Sequence, residues 1–83
     1  METEVQIKNL IGEINFWDEE DFIAADWEHI VSSGILDSLA VVYLIGLLEE
    51  QFQIKIPLSN MKVEFFESVT SIKSIVENYR GKV

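Results

Sequence analysis

Hydrophobic residues recur at helical spacing near both ends of the chain. Ile7, Ile11 and Ile14 fall on one helical face, which predicts a first helix from about residue 4 to residue 16. Near the other end, Ser68 can cap a last helix, whose apolar face consists of Val69, Ile72, Ile75, Val76 and Tyr79. The predicted end of this last helix is marked by Arg80, Gly81 and Lys82.

The middle of the chain predicts one long helix and one short one. Asp37 can accept hydrogen bonds from the N–H groups of a first helical turn, so a helix is expected from Leu39 to Phe52. Pro57 disfavours helical geometry at the residue before it, and residues 58–65 are predicted to hold one short helix. No stretch alternates between polar and apolar residues for long enough to require a sheet. The chain is therefore predicted to be all-α, a small bundle of three or four helices in a single domain spanning residues 1–83.

A long connector, residues 17–37, joins the first two predicted helices. Connectors of this length usually contain a short helical turn or carry a function. Phe22, Trp17 and Trp27 are interpreted as anchors that pack the connector onto the bundle. The acidic run at residues 18–21 lacks the alternating ligands and central glycine of a calcium loop, so it is interpreted as a solvated charge run.

Composition and charge exclude several classes of function. Fifteen acidic and six basic residues give a net charge of −9, which disfavours binding to nucleic acids and to anionic membranes. The chain has no cysteine, so it cannot form a disulfide, a thiolate metal site or a thioester of its own. His29 is the one histidine, and we interpret it as a surface or loop residue rather than as part of a triad or metal site. Neither a secretory signal nor a membrane-spanning stretch is visible, so a cytoplasmic location is expected.

The most informative segment is Gly-Ile-Leu-Asp-Ser-Leu at residues 34–39. A serine just inside a capped helix start presents its hydroxyl to solvent. It also lies near free N–H groups and the positive end of the helix dipole, which together favour a phosphate ester on Ser38. The same pattern is ordinary capping chemistry, and physical chemistry alone favours that simpler interpretation.

The helix after this serine is apolar almost all round and has no charge from Ser38 to Leu48. It is either the most buried element of the bundle or a docking face for partner proteins, and each interpretation can hold for a different side. An unmodified interaction module that docks through this face is therefore an alternative function. The candidate docking residues are Val41, Tyr43, Ile45, Glu49 and Glu50.

These residues resemble the acyl carrier proteins and the related peptidyl and D-alanyl carrier proteins. The family pattern is Gly-x-x-Asp-Ser-Leu, then a helix of the form Leu-x-x-Val-x-Leu-x-x-x-Leu-Glu-x-x-Phe, then Ile-Pro. The chain matches it without a gap at Gly34, Asp37, Ser38, Leu39, Val42, Leu44, Leu48, Glu49, Phe52, Ile56 and Pro57. Looser similarity extends through Phe66, Ser68, Val69 and Ile72.

The resemblance implies a helical bundle with a long loop between the first two helices, and a carrier that catalyses nothing. It implies that Ser38 receives 4'-phosphopantetheine from coenzyme A through a separate magnesium-dependent transferase, which recognises Asp37, with Leu39 completing the motif. Cargo, acyl or aminoacyl, would then travel as a thioester on this arm. The implied partners are the transferase, a loading ligase and downstream synthase enzymes, and the carrier is expected to be a monomer.

Two departures from the family pattern bear on the pathway. Carriers of fatty acid synthesis usually have acids near the start of the second helix, where this chain has Ala40 and Tyr43. Glu49 and Glu50 keep acidity at its far end, so docking is expected to depend more on apolar contact than on charge. Residues 34–38 look closer to the D-alanyl and stand-alone specialised carriers. We therefore expect a discrete carrier of a dedicated pathway, with fatty acid, polyketide and nonribosomal peptide biosynthesis as the candidates.

Overall fold

A computed structural model describes residues 2–80, which form four α-helices. The helices are α1 (Thr3–Ile14), α2 (Glu19–Ala24), α3 (Ser38–Phe52) and α4 (Val69–Arg80). No strand occurs in this part of the chain, and the predicted all-α class is confirmed. The predicted stop of the last helix at Gly81 and Lys82 lies outside the described residues.

Helix α1 ends at Ile14, before the predicted residue 16, because the backbone becomes left-handed at Phe16. The N–H of Phe16 donates to the carbonyl of Glu13 at 3.2 Å, and the N–H of Trp17 donates to that of Gly12 at 3.0 Å. This pattern is a Schellman motif, in which glycine usually takes the left-handed position. Phe16 has a φ of +55°, a conformation that costs a residue other than glycine about 1–2 kcal/mol.

Both predicted helix caps are confirmed. The Asp37 side chain accepts a hydrogen bond from the N–H of Ala40 at 2.8 Å, so α3 begins at Ser38 and ends at Phe52. The Ser68 hydroxyl accepts from the N–H of Ser71 at 3.0 Å, at the start of α4. Each cap satisfies an N–H group that the first turn of a helix leaves without an intrahelical partner.

The single short helix predicted for residues 58–65 is wrong. The chain instead forms two 3-10 turns, Leu58–Asn60 and Val63–Phe66. Met61 and Lys62 between them are extended, with φ of −101° and −125°, which interrupts any continuous helix. Phe66, at the end of the second turn, is fully buried in the core.

The core lies between α1, α3 and α4. Its fully buried members come from all three helices and include Ile7, Ile11, Leu44, Leu48, Ile72 and Val76. At one end of the bundle the Gln51 side chain donates to that of Gln6 at 2.8 Å, and Arg80 donates to Thr3 at 3.3 Å. The start of α1 therefore lies beside the ends of α3 and α4.

The connector is packed onto the bundle, as its aromatic residues predict. Trp27 makes edge-to-face contacts with Trp17 and Phe22, at centroid distances of 5.7 and 5.2 Å. The Lys8 ammonium lies 5.4 Å from the centroid of the Trp27 ring, a favourable cation–π distance. Ile30 is fully buried and anchors the connector in the core.

Candidate functional site

Ser38 is the first residue of α3, and its side chain is exposed. Asp37 before it is also exposed and extended, with φ of −91°, and its carboxylate is used in capping Ala40. Leu39 after it is 80% exposed. The serine hydroxyl thus lies at the surface, at the positive end of a fifteen-residue helix.

Buried residues on both sides hold this surface serine in place. Leu36 is fully buried, and its N–H donates to the carbonyl of Ile30 at 3.1 Å. On the other side Val41 is 3% exposed and anchors the first turn of α3 in the core. Gly34 has a φ of +86°, which only glycine adopts without strain, and this turn directs the chain back to Leu36.

Glu67 fastens the connector that leads to this serine. Its carboxylate accepts from the N–H groups of Val31 at 2.7 Å and Ser32 at 2.9 Å. Its backbone carbonyl accepts from the N–H of Ile30 at 2.6 Å. Hydrogen bonds from Ser32 first, and then from Val31, hold the pKa of the Glu67 carboxyl below its ordinary value. The ionised form of Glu67 is therefore the one that the connector stabilises.

The structure corrects two of the five predicted docking residues. Val41 and Ile45 are each 3% exposed, because they share the inner face of α3 with Leu44 and Leu48. Neither side chain is available to a partner in the folded protein. Tyr43 is 61% exposed and remains a candidate docking residue.

The outer face of α3 is also apolar. It consists of Leu39, Val42, which is 52% exposed, and Tyr43. The sequence analysis named Val42 as part of the family pattern but not as a docking residue, because the sequence of an entirely apolar helix does not show which of its residues face outwards.

The two predicted acidic docking residues differ in their surroundings. Glu49 is half-buried, and its carboxylate accepts from the N–H of Ile56 at 2.8 Å, which ties the segment after α3 back to the helix. Glu50 is exposed, and its carboxylate is open to solvent. Of the pair, Glu50 is the one that a partner could contact without disturbing the fold.

The other polar candidates have local structural roles. Asp18 and Asp21 form a reciprocal capping box at the start of α2, with N–H to carboxylate distances of 2.9 and 3.3 Å. His29 is exposed, and its Nδ1 lies 3.0 Å from a carboxylate oxygen of Asp26. Among residues 2–80, no three His, Cys, Asp or Glu side chains are grouped so that they could hold a metal ion. None of the helices in that range is both long and apolar enough to cross a membrane.

Residues 5–78 match the protein family described as the phosphopantetheine attachment site. The chain belongs to this family. The prosthetic group of the family is 4'-phosphopantetheine, in agreement with the resemblance found in the sequence. A member of the phosphopantetheine attachment site family needs an accessible hydroxyl, and among the predicted site residues Ser38 supplies one.

The chain is also similar to curated carrier proteins. The D-alanyl carrier proteins of Streptococcus pyogenes serotype M5 (strain Manfredo), serotype M49 (strain NZ131) and serotype M1 are each 42% identical to this chain over 50 residues. The match covers 60% of this chain and 63% of the length of each relative. No solved structure matches the chain.

The residues around Ser38 fit an attached phosphodiester. The side chain is exposed, and the N–H groups of Ser38 and Leu39 are among those that a helix start leaves without intrahelical acceptors. The Asp37 carboxylate accepts from the N–H of Ala40 and from neither of these two N–H groups. The helix dipole adds a favourable interaction with the negative charge of the phosphodiester.

Proposed function

We propose that Ser38 carries 4'-phosphopantetheine and that the protein is a discrete carrier, which presents cargo to partner enzymes and catalyses no reaction itself. The observation that supports this most is the exposed hydroxyl of Ser38 at the first position of a capped helix, in a chain of this family. The attached arm supplies a terminal thiol that holds cargo as a thioester, and the chain has no thiol of its own because it has no cysteine. We propose a cytoplasmic location for this function.

In this proposal the chain's own residues present the arm and orient partners. Asp37 fixes the start of α3 and forms part of the surface that a phosphopantetheinyl transferase recognises. Leu36 and Val41 keep the Ser38 backbone in one position. The exposed residues Leu39 and Tyr43, with Glu50 further along α3, form the surface against which partner enzymes dock.

The similarity to D-alanyl carrier proteins supports an amino acid as cargo. A ligase that activates an amino acid would then load the arm, and a downstream synthase or transferase would remove the amino acid. An acyl cargo is the second possibility, supported by the wider resemblance to acyl carrier proteins. Intact masses after incubation with a loading ligase and either D-alanine or a fatty acid separate the two.

The attachment is tested by incubating the pure protein with coenzyme A, Mg²⁺ and a broad-specificity phosphopantetheinyl transferase, and then measuring the intact mass. We expect wild type to gain one prosthetic group and Ser38→Ala to gain none, because the alanine has no hydroxyl. Ser33→Ala is the matched control, since Ser33 is an exposed serine of the connector that leads to Ser38, and its replacement should leave the gain unchanged. The same gain on Ser38→Ala, or no gain on wild type, would refute the proposal.

The exposed apolar face of α3 supports the alternative function of an unmodified interaction module. That alternative predicts that Ser38→Ala binds a partner as well as wild type does, without any cofactor. Under the carrier proposal, the activity of a partner enzyme requires the modified serine.

A further inference from the structure

The corner where α1 meets α2 carries two strongly exposed hydrophobic side chains. Phe16 is 94% exposed and Ile23, on α2, is 73% exposed. Phe16 also has a left-handed backbone, in which a phenylalanine is strained and a glycine is not. Exposure of the Phe16 ring to water is unfavourable, and so is the left-handed backbone of this residue. Neither packing nor helix termination therefore explains an aromatic side chain at this position. An outlier of this kind points to a function.

A groove of about 530 Å³ lies beside Phe16. Its walls combine aromatic rings with carboxylates, and its lining includes Gly12, Glu13, Phe16, Trp17, Glu19 and Phe22. Gly12 contributes to this shape, because a Cβ there would lie 3.3 Å from the Phe22 ring. The groove is therefore open, amphipathic and negatively charged.

The groove shares one wall residue, Trp17, with a second hollow that lies closer in sequence to Ser38. Trp17 also lines a neighbouring hollow of about 290 Å³, whose other wall includes Ser33 and Ile35. Ile35 lies in the turn that leads to Asp37 and Ser38. A protein that covers both hollows would contact the turn that leads to the serine.

Charge indicates the kind of partner that fits this corner. The chain has no lysine or arginine from residue 9 to residue 54, and the corner contains Glu13, Asp18, Glu19, Glu20 and Asp21. Within residues 2–80, none of these five carboxylates forms an ion pair. Two of the five, Asp18 and Asp21, accept backbone N–H groups in the capping box, but all five lack a cationic partner in the part of the chain that the structure describes. Carboxylates of this kind around exposed apolar groups complement a surface that has basic side chains around an apolar pocket.

We propose that the α1–α2 corner, formed by residues 12–23, is a second docking surface. It binds a partner protein through a basic segment whose apolar residues enclose Phe16. The corner shares no residue with the outer face of α3, so a partner bound at the corner leaves Leu39, Val42 and Tyr43 uncontacted. This inference goes beyond the proposed carrier function and does not require Ser38 to be modified.

The test uses the unmodified protein and two synthetic helical peptides of equal positive charge. One peptide has leucine and lysine at helical spacing, and the other has serine in place of each leucine. We expect the leucine peptide to shift the amide NMR signals of residues 12–23 and the indole signal of Trp17, with a Kd that weakens as salt is added. The serine peptide should bind at least about tenfold more weakly, because it cannot enclose Phe16.

Phe16→Gly separates binding from folding, since the glycine relieves the left-handed strain and should raise the melting temperature. We expect this variant to weaken binding of the leucine peptide at least about fivefold. Ile23→Ser provides a second test of the apolar contact. Leu58→Ser, which removes a 55% exposed apolar side chain from outside both docking surfaces, is the matched control and should keep the wild-type Kd.

Four results would overturn the proposal. They are undetectable binding of the leucine peptide, shifts centred on Leu39 to Tyr43, equal binding of the two peptides, and unchanged binding by both Phe16→Gly and Ile23→Ser. Because no step depends on the prosthetic group, none of these results bears on the attachment test. A failure of attachment would likewise leave the docking surface standing.

Discussion

Glu67 is the residue whose structural role was hardest to predict. Its carboxylate accepts from the N–H groups of Val31 and Ser32, which are 36 and 35 residues away in sequence. Nothing in the local pattern distinguishes it from Glu64 or Glu77, because a contact over this separation depends on how the connector folds back. Glu67 fastens the connector, and through it the segment that ends at Ser38.

We expect Glu67→Gln to lower the melting temperature at neutral pH and to make no difference in acid. The hydrogen bonds from Ser32 and Val31 lower the pKa of Glu67 below its ordinary value of 4.5. The charged carboxylate therefore stabilises the fold above pH 4.5, and this contribution is lost as the pH falls through the lower folded-state pKa. Thermal unfolding of both proteins from neutral pH to well below 4.5 measures the effect.

The matched control is Glu64→Gln, which removes an exposed carboxylate from the same region without touching the connector. It should change the melting temperature much less than Glu67→Gln at neutral pH. Equal losses for the two variants, or a Glu67→Gln loss that persists in acid, would contradict a role for the ionised Glu67 carboxylate.

Among the helices, α3 shows most clearly where sequence reasoning stops. Its start and its cap were predictable, because Asp37 is a local signal that acts over one turn of backbone. Pro57 indicated only that the helix ends before Ile56, whereas the observed end at Phe52 follows from the left-handed backbone of Gln53. The inner and outer faces of α3 were not predictable, because residues 39–48 are uncharged on every side. The packing of α1 and α4 decides that Val41 and Ile45 face inwards and that Tyr43 faces outwards.

Helix α1 and the segment after α3 illustrate a second limit. Hydrophobic spacing predicts α1 well up to Ile14, but it carries no information about the left-handed turn at Phe16. In the segment 58–65, Leu58, Met61 and Phe65 have the spacing of one helical face, so the pattern did not distinguish two separate 3-10 turns from one helix.

Two substitutions of Asp37, the cap of α3, can separate its effect on the stability of the fold from its recognition by the transferase. Asp37→Ala should lower the free energy of unfolding by about 1 kcal/mol, because the N–H of Ala40 loses its acceptor. Asp37→Asn keeps an acceptor oxygen and should cost much less. Urea unfolding measures both changes.

If the transferase recognises the Asp37 carboxylate, both variants should gain the prosthetic group more slowly than wild type. A normal rate for Asp37→Asn would confine Asp37 to capping. An asparagine variant as unstable as the alanine variant would contradict the capping role.

Charge is unevenly distributed over the whole molecule. Residues 1–50 contain twelve acidic residues and one basic residue, whereas residues 51–83 contain three acidic and five basic residues. The acids of the first part include those of the α1–α2 corner and lie on a small bundle, with principal dimensions of 38 × 26 × 18 Å. Carboxylates at these separations repel one another when little salt is present.

We expect added NaCl to raise the melting temperature at neutral pH. Raising the salt from about 10 mM to about 150 mM shortens the Debye length from about 30 Å to about 8 Å, which screens this repulsion. Glu28→Lys is the matched control, because it replaces an exposed acid by a base and should reduce the dependence on salt. A melting temperature that falls with salt, or that Glu28→Lys leaves equally sensitive, would contradict the explanation.

The placement of Ser38 between buried Leu36 and buried Val41 has a consequence for motion. Because the backbone at Ser38 is held in place, a group joined to this serine moves about a fixed attachment point. The volume that the group can reach therefore depends on its own length and not on loop movement. Under the carrier proposal, a partner enzyme can therefore act on the cargo only if the distance from Ser38 to its catalytic centre is no longer than the extended prosthetic group.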